Sequence, residues 1–166
     1  MKARIYLETT IASYLAARPS RDLLIAGHQQ ITRDWWDTRR GAFDLFISEL
    51  VREESAAGDP IQARRRLEFL AHVPILAANE AILNVARALV TQGPVPPRAS
   101  ADAVHIAFAT AYACDYLLTW NCRHIANAEI QRAARVVVGR YGFELPTICT
   151  PEELMGEDYG VERRDR

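Results

Sequence analysis

Four short segments, far apart in the chain, place an acid or an amide where a strand gives way to a helix. They are Arg4-Ile5-Tyr6-Leu7-Glu8-Thr9-Thr10, Ser48 through Glu54, Ala101-Asp102-Ala103-Val104-His105-Ile106-Ala107, and Tyr116-Leu117-Leu118-Thr119-Trp120-Asn121. In an open α/β sheet the carboxyl ends of the strands line one crevice, so residues distant in sequence meet there. Carboxylates gathered in such a crevice repel one another unless a hard divalent cation sits between them. Metal-assisted phosphodiester chemistry is the reaction class that this combination implies.

Each polar residue also has a plainer reading. Glu8 closes an apolar strand, where a carboxylate is costly to bury unless paired or metal-bound; alternatively it is a strand-end acid that caps the next helix. Asp102 lies in the first turn of a helix, where the macrodipole alone stabilises an acid. Its apolar neighbours Ala103, Val104, Ile106 and Ala107 nevertheless mark a buried helix with one acid at its entrance. Glu49, Glu53 and Glu54 could form a solvated face, with Glu49 a dipole partner. Leu50 shares a face with both Glu53 and Glu54, so an inward Leu50 brings one of them towards the crevice. Asn121 can ligate a metal weakly or orient a water, without adding charge. Asp115 reads as a turn residue at the opposite end of its strand. His105, on an otherwise apolar helix, reads as a satisfied core histidine ahead of a catalytic base. No Ser/His/Asp or Cys/His signature, P-loop or G-x-G-x-x-G occurs.

The elements that must position these residues alternate. Strands are expected at 3–7, 43–47, 73–76, 116–119 and 144–148. Helices are expected after Thr9 and Thr10, over 22–40, after Ser48, over 61–70, from Asn79 to about Thr91, from Ser100, and over 125–138. Such alternation implies a parallel sheet with helices on both faces. Trp35 and Trp36 are adjacent, and one is expected to be partly exposed or covered by a partner, because one helix stripe cannot aim both into one core. Residues 1–150 are expected to form one domain, followed by a charged, flexible tail over 151–166.

Composition narrows the class. The chain has 166 residues, 49% hydrophobic and 25% charged, which suits a single domain with its own core and argues against disorder. A formal net charge of −1 gathers no polyanion by itself, so nucleic-acid binding would need a local basic patch. Lys2 is the only lysine, so arginine carries that task. Cys114, Cys122 and Cys149 have no C-x-x-C spacing, which argues against a zinc site or disulfide framework and fits a reducing, cytoplasmic compartment. No run approaches the roughly 18 consecutive apolar residues of a membrane span, and no secretory signal is expected.

Taken together, the stretches Tyr6-Leu7-Glu8-Thr9-Thr10-Ile11, Ile47 through Glu54, Ala101 through Ala107 and Leu118-Thr119-Trp120-Asn121 resemble the PIN domain, specifically a VapC-like toxin subfamily. The resemblance runs in order over residues 3–150. It implies a three-layer α/β/α fold around a parallel sheet of about four or five strands. It places Glu8 at the family's first aspartate and Thr10 at the small hydroxyl residue beside it. Glu54 falls at the helical glutamate, with Glu53 as the register alternative, and Asp102 at the helix-entrance aspartate. Asn121 falls where many members carry a fourth aspartate. Glu8, Glu54 and Asp102 would then hold Mg2+ or Mn2+ for hydrolysis of RNA, with Thr10 and Asn121 orienting ligands or water. Glutamate at position 8 lengthens the arm, and Asn121 removes a charge, which favours one ion over a pair. The resemblance further implies a small antitoxin partner, with the helices over 22–40 and 61–70 as its surface, and a homodimer. Arg98, Arg123 and Arg64-Arg65-Arg66 would grip RNA, the last three being readable equally as a solvated helix face. A weakened PIN-like module that binds RNA or protein without cleaving is the alternative. A small phosphohydrolase lacks support, because no D-x-D follows the first strand.

Overall fold

Ile5, Tyr6 and Leu7 are wholly excluded from solvent, although consecutive strand residues point to opposite faces of a sheet. Both faces of β1 (Ala3–Leu7) are therefore covered, as a central parallel strand requires. The computed structural model describes residues 1–156 and places β1 in the middle of five parallel strands. β2 (Phe43–Ser48) and β3 (Ile75–Leu76) lie on one side of it, and β4 (Tyr116–Leu118) and β5 (Thr147–Cys149) on the other. The chain builds outward through β2 and β3, then returns to lay β4 beside β1. That reversal is where a doubly wound sheet opens its crevice. Leu7 pairs with Leu118, and the Glu8 N–H donates to the Leu118 carbonyl at 3.1 Å, so the ends of β1 and β4 stay together as they enter it.

Helices cover both faces. α1 (Thr9–Ala16), α2 (Leu23–Thr38), α3 (Glu49–Ala56) and α4 (Pro60–Leu70) pack among themselves. In the other layer α5 (Glu80–Thr91) packs against both α6 (Ser100–Ala111) and α7 (Ala128–Gly139). The starts are set locally: Asp22, Ser48, Asp59, Asn79 and Asn127 each accept a backbone N–H of the first helical turn that follows them. Gly58, at φ +83°, makes the turn between α3 and α4 in a conformation that side chains with a Cβ avoid.

Several boundaries differ from the sequence expectation, each for a backbone reason. Ser100 is not a cap: it is the first residue of α6, entered from a 3₁₀ turn at Pro97–Ala99, and no side chain caps that start. The helix expected from 125 starts at Ala128, because the N–H groups of Ile125 and Ala126 turn back onto the Asn121 carbonyl. The third strand shortens to Ile75–Leu76, since the Val73 N–H closes a turn on Leu70 and Pro74 has none to give. Pro146 likewise delays the last strand to Thr147–Cys149.

Trp35 and Trp36 are both buried within the chain itself, contrary to the expectation that one would be partly exposed or covered by a partner. Trp35 stacks on Phe43 of β2, while Trp36 meets the edge of Phe69 on α4, so two different neighbours cover two adjacent positions. The exposed apolar residues of that region are instead Leu23, Leu24, Ile25 and Ile61. The packed chain also continues beyond the boundary expected at 150. Pro151–Leu154 forms a 3₁₀ turn with a Thr150–Glu153 capping box, and Pro151 and Met155 are buried. Residues 157–166 of the expected tail lie outside the described residues. Among the described residues no helix is long and apolar enough to cross a membrane.

Candidate metal centre

Glu8 leaves β1 at the crevice and is the N-cap of α1, with only 5% of its surface exposed. The reading of this residue as a helix cap holds, and one oxygen does that work. Oε2 accepts the Thr10 N–H at 3.1 Å, the Thr10 hydroxyl at 2.5 Å and the Thr119 hydroxyl at 2.7 Å. Among the described residues nothing donates to Oε1, which is left for the crevice. Thr10 is held in turn by the Trp120 N–H, 2.8 Å from its hydroxyl oxygen.

Of the two candidate glutamates on α3, Glu54 is the one that turns towards the crevice cluster. Glu53 is exposed, whereas Glu54 is half-buried and turned inward. Its Oε2 accepts the Thr9 hydroxyl and lies 3.0 Å from His105 Nε2. Desolvation pushes the Glu54 carboxyl up, but the His105 hydrogen bond and charge and the Thr9 hydrogen bond outweigh it, so the group ends below the usual carboxylate range. Ligand atoms of Glu8, Glu54 and His105 all lie within 4.8 Å of one another.

His105 is the buried, satisfied residue that the sequence suggested, and it also faces this cluster. Its Nδ1 lies 2.9 Å from the Tyr6 hydroxyl, which is 2.7 Å from Ser48 Oγ. All three side chains are buried. Burial above all pushes the Tyr6 phenol far up; the Ser48 hydrogen bond opposes this, and the charges of Glu8 and Glu54 add to it. The phenol therefore remains protonated and can always donate.

Asp102 stands beside the cluster rather than within its closest three. Its Oδ1 accepts the Asn121 amide at 3.1 Å, and its Oδ2 lies 3.0 Å from His124 Nδ1. The Asn121 oxygen accepts the His124 N–H, and the Asn121 N–H donates to Thr119 Oγ1 at 2.9 Å. Since Thr119 also binds Glu8, one hydrogen-bond network joins Glu8 to Asp102 through Thr119 and Asn121. Asp115 sits at the other end of β4, accepting the Arg4 N–H at 2.7 Å, as a turn residue would.

Four participants escaped the sequence reading: Tyr6, Thr9, Thr119 and His124. A signal existed for Tyr6, since a phenol in the middle of an apolar central strand must find a partner. Thr119 and His124 flank Asn121 at the spacings of a local Asx-type turn. The proposed RNA-gripping arginines divide. Arg66 donates to the carbonyls of Ser55 and Ala57, closing α3, and Arg64 pairs with Glu68. Arg98, ahead of α6, and Arg123, two residues beyond Asn121, are exposed.

The donor set of two glutamates, a histidine and a neighbouring aspartate suits a divalent cation, because two carboxylates and an imidazole bring ligand atoms within 4.8 Å of one another. No protein-family model matches the chain, and no curated protein is similar to it. Among solved structures, the crystal structure of VapBC2 from Rickettsia felis bound to a DNA fragment from their promoter is similar, at 14% identity and a TM-score of 0.56. The alignment covers 89% of this chain and 98% of that one. At this identity the likeness shows the fold, and it agrees with the α/β, PIN-like arrangement of a five-stranded parallel sheet between helices.

Proposed function

We propose that the protein is a metal-dependent endoribonuclease and the toxin of a toxin–antitoxin pair. The observation that carries this reading is the placement of Glu8 and Glu54 in one cluster at the strand-reversal crevice, with Asp102 tied to it through Thr119 and Asn121. Glu8 and Glu54 would hold a Mg2+ or Mn2+ ion, with Asp102 at the rim, and the ion would supply positive charge for the hydrolysis. Thr10 and Thr119 fix the Glu8 rotamer, Thr9 and His105 fix Glu54, and Asn121 and His124 fix Asp102. Arg98 and Arg123, both exposed, would hold the RNA backbone.

The antitoxin surface is the groove of about 850 Å³ between α1, α2 and α4, lined by Leu15, Arg18, Pro19, Arg33, Ile61 and Phe69. Exposed Ile61 and Phe69 in its wall, rather than the buried tryptophans, are the apolar residues that a partner would cover. The fold shared with a chain of the VapBC2 complex supports such a partner, and a homodimer and a cytoplasmic site of action belong to the same reading.

Purified protein should cleave RNA with Mg2+ or Mn2+, stop when a chelator is added, and lose cleavage in Glu54→Gln and Asp102→Asn. Wild-type rates in both variants would refute the assignment. The alternative, a module that binds without cleaving, has one observation in its favour: both Asp102 oxygens are already engaged by Asn121 and His124. Calorimetry that finds no divalent-ion binding would select it.

A further inference from the structure

We infer that His105 is itself a ligand of the cation at this centre, and that the site therefore selects a first-row transition ion over Mg2+. The inference rests on the metal centre proposed above and goes on to its identity. His105 Nε2 lies 3.0 Å from Glu54 Oε2. That separation is the edge between two adjacent ligands of an octahedral ion with bonds of about 2.1 Å. It is equally a hydrogen-bond length, so the gap holds either a proton or a metal ion.

Three features favour the ion. The ring is 1% exposed, and the Tyr6 hydroxyl engages its Nδ1, so Nε2 points only into the cluster. With the Tyr6 proton on Ser48 Oγ, the phenol oxygen accepts the Nδ1–H, the arrangement in which a ligating histidine keeps its Nε2 lone pair for the metal. Oε1 of Glu8 and Oε1 of Glu54 receive no donor among the described residues, so each glutamate still has an oxygen to offer beside the nitrogen. Finally, Asp102 is bound by Asn121 and His124, which leaves a nitrogen as the third nearest donor. Magnesium prefers oxygen donors and retained waters, whereas imidazole nitrogen suits ions such as Fe2+, Zn2+ and Ni2+.

Mn2+ serves as the probe because it is paramagnetic. Pulsed EPR of the wild-type protein loaded with Mn2+ should show coupling to a directly bound 14N nucleus, and His105→Gln should abolish it. In competition, Mn2+ should displace Mg2+ from the wild-type protein with a preference of about tenfold or more, falling to within about threefold in His105→Gln. Should that variant fail to fold, Tyr6→Phe keeps the ring but frees it, and should weaken Mn2+ binding while sparing Mg2+ and the nitrogen coupling. Bound Mn2+ without 14N coupling in the wild-type protein overturns the ligand assignment alone. No binding of either ion overturns the metal centre as well.

Discussion

Glu8→Gln should leave the ion-free protein about as stable as wild type and make it indifferent to divalent ions. Glu8 is 95% removed from solvent, since its exposure is 5%, and one of its oxygens lies within 4.8 Å of an oxygen of Glu54. Two unit charges at that distance repel by about 3 kcal/mol at an effective dielectric near 20. A glutamine amide oxygen can keep all three donors that Oε2 now accepts, losing only their charge assistance, about 1 kcal/mol for each bond and so about 3 kcal/mol in all. Its NH2 group would replace Oε1 and could donate towards Glu54. The two effects offset each other, so the melting temperature should stay within roughly 5 °C of wild type. Ion binding then separates the two proteins, because the wild-type protein gains about 2.7 kcal/mol when the free ion is at a hundred times its dissociation constant. Thermal melts of both proteins in chelator, then with Mn2+, test this directly. A variant that melts well below wild type in chelator, or that still shifts upward with Mn2+, would show that Glu8 is only a structural cap.

Three further outcomes follow from the same contacts. Because the Glu54 carboxyl is depressed in the folded protein, its stabilising contribution is present above the unfolded value near 4.5 and is lost as pH falls through the folded value. Urea melts of Glu54→Gln from pH 7 to 3 should therefore fall less steeply than wild type on the acid side; parallel curves would remove Glu54 from the linkage. Gly93→Ala would place a Cβ 2.9 Å from the Leu89 carbonyl oxygen and 3.1 Å from Val137 Cγ2, forcing α5 and α7 apart. It should cost about 1–3 kcal/mol in denaturant melts, and an unchanged midpoint would contradict that packing. Of the three thiols, Cys122 is exposed, while burial pushes Cys114 up to about 11 and Cys149 up to about 12. One thiol should react quickly with a chromogenic disulfide at pH 8 and two only on unfolding; three fast thiols would mean that the β4–β5 side of the core opens.

Sequence patterning carried the fold because nearly every local preference agrees with the global arrangement: an apolar run at Ile5-Tyr6-Leu7 in β1, polar caps at 48 and 79, and glycine at the α3–α4 turn. The errors fall where a proline removes a donor, at 74 and 146, or where a loop carbonyl captures an N–H, as Asn121 does. Neither effect leaves a hydrophobic period to read. At the site, the choice between Glu53 and Glu54 could not come from spacing, since both share a face with Leu50. It was settled by Thr9 and His105, which reach Glu54 from other elements. The relay from Ser48 through Tyr6 to His105 joins residues 42 and 99 positions apart, beyond any local pattern.

The two departures from the family pattern have different physical consequences. The additional methylene of Glu8 lets one oxygen fold back over the start of α1 and reach Thr119 while the other stays in the crevice. A shorter aspartate could cap the helix as well, yet it would reach about 1.5 Å less far for the second task. At position 121 an aspartate would set a second carboxylate about 3 Å from Asp102, and two acids so close cannot both stay ionised without a cation between them. The amide replaces that repulsion by a donated hydrogen bond and so holds Asp102 in place without metal. The proposed centre would thus have less negative charge to neutralise, with two carboxylates at Glu8 and Glu54 and, among the described residues, His105 as the nitrogen donor beside them. A single ion between those three would need no second cation to offset position 121.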